Sequence, residues 1–288
     1  MNLPPFEIHR PPTLEAASDL LERLGDEAVP YAGGTELLLV MKLGLAEYGH
    51  LVDLKGIPEL GRLAAENGGL EIGAGVTHRA LERSPLVRAR WPALAEMERG
   101  VANVRVRVAG TLGGNLSFAD PHSDPATFLL ALGAEVELAG PAGRRRMPLR
   151  DYVLGPYETA LGPAELLVAV RVPEPAPGTV VVHRKMAFNE RPAVTVTAVA
   201  RAEGGDVVDA AIAVGSVGLV PTRIPEAEAA LVGGVGPAAL AAASEAAAGA
   251  AEPVEDRNGS PEYKRQLVRV LVGRAAGEAV DRARAAAR

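Results

Sequence analysis

Two short segments carry the residues best suited to hold a charged ligand. They are Ala32-Gly33-Gly34-Thr35 and Thr111-Leu112-Gly113-Gly114-Asn115. Adjacent glycines let successive backbone N–H groups point into one concavity, with no Cβ to keep a ligand away. Thr35, Thr111 and Asn115 add side-chain donors. Neither segment contains lysine or arginine, so a diphosphate held there would rest on backbone N–H groups and helix N-termini. Glycine pairs also serve plain turns, and for either segment alone that reading is the commoner one. Two similar segments in one half of the chain shift the balance toward binding.

Other chemistry is thin. No Gly-x-Gly-x-x-Gly or P-loop occurs, and Gly73-Ala74-Gly75 lacks the third glycine. The five histidines, His9, His50, His78, His122 and His183, are scattered, with no close pair. His122 between Asp120 and Asp124 suggests either a metal or, more commonly, a loop salt bridge or cap. Gly215-Ser216-Val217-Gly218 has the wrong spacing for a nucleophile elbow. Arg144-Arg145-Arg146 reads as a solvated face, with a partner contact as the alternative. Trp91 reads as core. We expect no catalytic acid–base pair and no metal ligands.

Composition narrows the field. The chain has 288 residues, 48% of them hydrophobic and 23% charged. Folding at this length buries about three-quarters of the unfolded surface, without need of a staple. A net charge of −6 argues against a nucleic-acid footprint. There is no cysteine, hence no disulfide, no thiolate-held cluster and no cysteine nucleophile. Redox chemistry would need an organic cofactor. No apolar run approaches the roughly 18 residues of a membrane span. The start, Met1-Asn2-Leu3-Pro4-Pro5-Phe6, lacks the pattern of a secretory signal, which points to the cytoplasm.

The elements that must position the glycine pairs follow from periodicity. Phe6–His9, Val29–Tyr31 and His50–Leu54 read as strands, with a helix between the first two. Thr13 caps that helix, Leu14, Ala17, Leu20, Leu21 and Leu24 share its face, and Gly25 stops it. Leu70–Val76 alternates as a strand, and Thr77 opens a helical stretch to Val87. Trp91–Met97 is a helix with Pro92 near its start, and Pro125–Leu132 is another. Ala134–Leu138 and the run after Arg144 form a hairpin; Glu165–Val172 is a strand. Pro173–Gly178, with three prolines, marks a boundary. Beyond it the strands Val180–His183, Val194–Ala202 and Val207–Val217 precede the helices Pro225–Leu231, Pro237–Ala248 and a long one from Ser260. Strands followed by helices make this part α+β.

In order along the chain, Tyr31-Ala32-Gly33-Gly34-Thr35-Glu36-Leu37-Leu38, Gly73-Ala74-Gly75-Val76-Thr77, Gly110 to Asn115 with Pro121 to Asp124, and Glu165-Leu166-Leu167 before Arg171-Val172-Pro173 resemble one known family. Val214 to Arg223, Glu228 to Leu231 and Gly259 to Arg265 continue the match, which covers essentially the whole chain. The family is the FAD-binding medium subunit of molybdenum hydroxylases, similar to the flavoprotein subunits of aerobic carbon monoxide dehydrogenase and bacterial xanthine dehydrogenase.

The resemblance implies an α+β fold throughout: a two-lobed FAD-binding domain of the vanillyl-alcohol-oxidase (PCMH) type over 1–175, with lobes splitting near 55–60, and a smaller α+β C-terminal domain over 179–288. It implies FAD held by Tyr31, Ala32, Gly33, Gly34, Thr35, Glu36, Leu37 and Leu38, and by Thr111, Leu112, Gly113, Gly114 and Asn115. Asp124 would fix the adenosine side, Leu167 would pack near the cofactor, and Lys185 would approach the flavin from the second domain. Thr77 is a weaker carry-over, and Val101 stands where some relatives place a bulkier group against the flavin. Glu36 stands where aspartate is commoner. A relative of the 4-hydroxybenzoyl-CoA reductase type carries an extra iron–sulfur cluster in this subunit, which the lack of cysteine excludes here. The implied partners are a large molybdopterin-binding subunit and a small [2Fe–2S] subunit, in a doubled heterotrimer, with NAD⁺, a quinone or oxygen as the electron acceptor. The alternatives are a stand-alone flavin oxidoreductase using His183 as its acid or base, and a non-catalytic assembly or scaffold subunit.

Overall fold

The computed structural model describes residues 3–234 and 236–287. Met1 and Asn2, which begin the segment read above for a signal, lie outside them.

The first lobe is a three-stranded parallel sheet in the order Glu7–His9, His50–Asp53, Ala28–Tyr31. Parallel neighbours need a crossover, and the helix Leu14–Leu24 supplies it between the outer two strands. Thr13 accepts a hydrogen bond from the Ala16 N–H, Leu14, Ala17 and Leu21 are buried, and Gly25 ends the helix at φ +57°. A short helix, Leu37–Lys42, follows the first glycine pair.

The second lobe is a five-stranded antiparallel sheet in the order Leu63–Glu66, Gly69–Gly73, Leu166–Pro173, Glu135–Gly140, Gly143–Pro148. The last two are the expected hairpin. The arginines on its outer strand are more than a solvated face. Arg144 pairs with Glu59 and Glu137, Arg145 with Glu165 and Arg146 with Glu137. Short helices cover this sheet. The stretch from Thr77 is two helices, His78–Arg83 and Pro85–Arg90, because Ser84 precedes Pro85 and leaves the helical region. Trp91 is core, at 3% exposure. The helix Val104–Ala109 is not apparent in the sequence: its alternation of valine and arginine has the period of a strand, but Asn103 caps it through the Arg105 and Val106 N–H groups.

The C-terminal part is a four-stranded antiparallel sheet, Val180–Ala187, Pro192–Glu203, Asp206–Gly215 and Thr222–Arg223, with helices Pro225–Leu231, Pro237–Ala250 and Pro261–Ala286. Pro192–Glu203 is apolar or small at nearly every position because both of its faces are covered. Val194, Val196, Ala198 and Ala200 belong to the core shared with the long helix. Thr195, Thr197 and Val199 face the other way, toward the helix Asp124–Ala131 of the N-terminal part. Gly215 lies under that helix, and a Cβ there would come within 1.9 Å of Thr127 Oγ1. Close packing, not nucleophilic chemistry, accounts for the Gly215-Ser216 pair.

Candidate functional site

The two glycine pairs do meet, but for different reasons. Gly34 has φ +71°, the left-handed region that favours glycine. A Cβ on Gly33 would come within 2.3 Å of the Ala109 carbonyl, so only glycine lets the first loop lie against the backbone at Ala109 and Gly110. Among the described residues, the N–H groups of Gly33, Gly34, Thr35 and Glu36 make no hydrogen bond. Four successive unpaired donors on one turn are what an anion-binding concavity offers.

The second pair is not such a concavity, and this corrects the sequence reading. Leu112–Phe118 is a helix with Thr111 as its N-cap. Leu112 N–H donates to Val76 O, Gly113 N–H to Ala74 O, Gly114 N–H to Thr111 Oγ1 and Asn115 N–H to Thr111 O. Every donor of its first turn is used. Gly113 is needed because a Cβ there would lie 2.4 Å from the Ala74 Cβ. What this segment offers a ligand is its surface and the Asn115 amide. Ser123 Oγ donates to Asn115 Oδ1 at 2.6 Å, which leaves the amide NH₂ free to donate.

A cleft of about 380 Å³ runs between these loops. Ala32, Gly33, Gly34, Thr35, Glu36, Leu37, Val101, Thr111, Gly113, Gly114, Asn115, Asp124 and Leu167 line it. Of the other expected residues, Tyr31 lies beneath Lys55 Nζ, 3.7 Å from the ring centroid, and its ring abuts Gly34. Leu38 packs on Gly34 from the same side. Leu112 is wholly buried in the core. Thr77 caps the helix His78–Arg83 through the Ala80 N–H and bridges to Thr111, so it holds the wall instead of lining it. Lys185 stands behind the cleft: its Nζ donates to Asp124 Oδ2 and to Gly100 O, both at 2.7 Å. His183 is beside it, with Nε2 buried, unpartnered and 3.5 Å from Asp124 Oδ1.

Several lining residues gave no sequence signal. His78 and the fully buried Glu98 are 2.7 Å apart under the cleft wall. At the mouth, Arg191 from the C-terminal sheet reaches Asp120 Oδ2 at 3.0 Å and Glu36 Oε2 at 3.2 Å. Burial raises the Glu36 carboxyl above its ordinary range despite Arg191. Burial pushes Asp120 the same way, but hydrogen bonds from His122 and the charge of Arg191 outweigh it and hold Asp120 low. His122 is the salt bridge the sequence allowed, but with a different second acid: Nδ1 faces Asp120 at 3.1 Å and Nε2 faces Asp256 of the C-terminal part at 3.2 Å. The hydrogen bond that His122 donates to Asp120 raises its pKa. Arg191 is 155 positions from Glu36, His122 is 134 from Asp256, and His78 and Glu98 are 20 apart on separate helices, so spacing could not pair them.

Comparison with known proteins places this architecture. Residues 4–175 match the FAD-binding domain in molybdopterin dehydrogenase, and residues 183–279 match the carbon monoxide dehydrogenase flavoprotein C-terminal domain. The chain is 36% identical over 286 residues to the carbon monoxide dehydrogenase medium chain of Afipia carboxidovorans, covering 98% of each. It is 34% identical over 281 residues to the nicotine 6-hydroxylase medium subunit of Paenarthrobacter nicotinovorans, covering 97% of this chain and 99% of that one. Among solved structures it superposes on carbon monoxide dehydrogenase from Hydrogenophaga pseudoflava with a TM-score of 0.95 and 38% identity, covering 98% and 99% of the two chains. The chain belongs to the FAD-binding medium subunits of the molybdenum hydroxylase family, and FAD is its cofactor. It is thus a subunit of an oxidoreductase, with the two-lobed domain and smaller α+β domain that the resemblance implied. No helix among the described residues is long and apolar enough to cross a membrane.

Proposed function

We propose that the chain is the electron-transfer flavoprotein of a heterotrimeric molybdenum hydroxylase. A large molybdopterin-binding subunit would oxidise the substrate and a small [2Fe–2S] subunit would relay electrons to this chain, which would pass them to NAD⁺, a quinone or oxygen in the cytoplasm. The observation that carries this reading is the row of four unpaired N–H groups, from Gly33 to Glu36, on the wall of a cleft with apolar surfaces at Leu54, Val101 and Leu167. A dinucleotide asks for those two things: fixed donors for its pyrophosphate and apolar walls for its rings.

Held there, FAD accepts electrons singly or in pairs, which is chemistry the protein itself lacks. The chain's own residues bind and orient it. Gly33 to Glu36 hold the pyrophosphate, and the Asn115 amide and the Thr35 hydroxyl add donors. Val101 and Leu167 exclude water from the ring faces. Asp124, fixed by Lys185, sets the adenosine end. His183, the residue that the stand-alone oxidoreductase reading named as its acid or base, does not line the cleft. The unpaired donors speak against a scaffold that has lost its cofactor.

The test is the visible spectrum of the purified chain, before and after incubation with FAD and desalting. The expected result is retained flavin absorption, with FAD and not FMN released on denaturation. Expression with the neighbouring reading frames should then yield a complex carrying molybdenum and iron. A folded chain that takes up no FAD, alone or in such a complex, overturns the reading.

A further inference from the structure

The first lobe brings together a second group of side chains, remote in role from the cleft. In the parallel pairing of Glu7–His9 with His50–Asp53, Glu7 stands opposite His50 and His9 lies two residues along. Side chains alternate along a strand, so Glu7 and His9 leave by one face, and His50 joins them there. The two histidines are 41 residues apart in sequence and read as unrelated; the strand register makes them neighbours.

His9 Nε2 and His50 Nδ1 are 3.1 Å apart, and Glu7 Oε2 lies 3.8 Å from the second and 4.0 Å from the first. In the plane of a triangle with those edges, the point equidistant from its corners is about 2.1 Å from each, the bonding distance of zinc to imidazole nitrogen and carboxylate oxygen; a tetrahedral ion sits out of that plane and needs the exposed Glu7 carboxylate to draw in slightly. Two imidazoles and a carboxylate are also the ligand set of three-ligand zinc sites, with a further position left for water. On the far side of the His50 ring, Glu27 Oε2 lies 4.0 Å from Nε2. His122 differs. Its two acids approach opposite ring nitrogens, so no single ion reaches both.

We propose that Glu7, His9 and His50 form a binding site for a divalent transition metal, with zinc the ion their spacing fits. A bound ion would pin the first strand to the centre of its sheet. The proposal is independent of the cofactor reading.

Zinc chloride titrated calorimetrically into the tag-free full chain, stripped with chelator and dialysed, tests it. The expected result is one equivalent of zinc per chain, with binding weakened at least about tenfold in His9→Ala and in His50→Ala. Glu7→Gln should weaken it less, because that side chain is 75% exposed and water can replace it. Cobalt(II) should give the visible absorption of a four-coordinate ion, lost in His50→Ala. Melting curves of the stripped variants control for folding. Should an alanine variant unfold, diethyl pyrocarbonate labelling of the wild type replaces it, and zinc must then shield His9 and His50. The proposal is overturned if the wild type takes up no zinc, if the double His9→Ala/His50→Ala variant binds it undiminished, or if zinc leaves the labelling of both histidines unchanged.

Discussion

Lys185 Nζ lies 2.7 Å from Asp124 Oδ2, and this pair joins the C-terminal sheet to the first residue of a helix in the FAD-binding part. Asp124 is 4% exposed, so its charge depends on this partner. Removing one member of a buried pair costs about 3–5 kcal/mol, because the other charge is left uncompensated, whereas replacing both costs far less. Lys185→Ala should therefore destabilise the chain by about 3 kcal/mol, and Lys185→Met combined with Asp124→Asn by clearly less. Denaturant unfolding of Lys185→Met, Asp124→Asn and the double gives the coupling. A loss in the double variant equal to the sum of the two single losses would mean that the pair is not coupled.

Arg191 closes the other end of the interface. Its guanidinium bridges Asp120 and Glu36 across the cleft mouth, while Glu190 beside it accepts a hydrogen bond from Asn103 Nδ2. A ligand that enters or leaves the cleft by this mouth must pass this contact. The side chain is 46% exposed, so each pair is worth at most about 1 kcal/mol and is screened by salt. Arg191→Ala should speed FAD release about three- to tenfold, as followed by flavin fluorescence after dilution. In the wild type, release should quicken with ionic strength; in the variant it should not. A variant that keeps the full salt dependence would place the electrostatic barrier elsewhere.

The His122 contact gives a pH signature. Asp120 and Asp256 flank the ring, and its folded pKa is raised, chiefly by the hydrogen bond to Asp120. A group whose pKa is higher folded than unfolded binds its proton more tightly in the native state. Its contribution is complete below the unfolded value of about 6.5 and is lost as pH rises through the folded value. Both aspartates are held low and stay ionised throughout that window. Unfolding free energies from pH 6 to pH 8.5 should fall more steeply for the wild type than for His122→Asn. Parallel curves would remove His122 from the account.

How much of this could be read from the sequence depends on the range of the interaction. Caps were legible: Thr13, Ser260 and the Pro-led helix starts act within four residues, and the structure places each where the spacing put it. The two glycine pairs were legible as special but not as different. Side by side in sequence they look alike, yet Gly33 and Gly34 expose their donors while Gly113 and Gly114 spend theirs in a helix. That distinction depends on Ala74, whose carbonyl accepts from Gly113 N–H, and on Val76, whose carbonyl accepts from Leu112 N–H; both come from a strand turn nearly 40 residues earlier. The charged contacts at the domain interface were legible only where they are local: His122 with Asp120 follows from their spacing, but Asp256 and the acids that meet Arg191 come from distant parts of the chain. The strand Pro192–Glu203 is apolar or small at nearly every position, which suits burial on both faces, but its sequence does not name the helix on its second side.

The glycines themselves give a graded test. Gly33→Ala must push a methyl group against the Ala109 carbonyl, which is backbone and cannot rotate away. Overpacking of this kind costs about 1–3 kcal/mol and separates the two loops that frame the cleft. Gly114→Ala meets only Thr111 Oγ1, at 2.9 Å, and so weakens one helix cap while leaving the loop contact intact. Gly56→Ala meets nothing within 4 Å and has no positive φ, so it should stay within about 0.5 kcal/mol of the wild type. FAD content after desalting, set beside unfolding free energy, should therefore fall most for Gly33→Ala, less for Gly114→Ala and not at all for Gly56→Ala. The informative comparison is between the first two. If Gly114→Ala loses FAD as completely as Gly33→Ala while remaining as stable as Gly56→Ala, the cofactor lies against the Gly114 Cα itself. The second glycine pair would then bind by close approach of its backbone and not by donors, which is the one role its fully bonded N–H groups leave open.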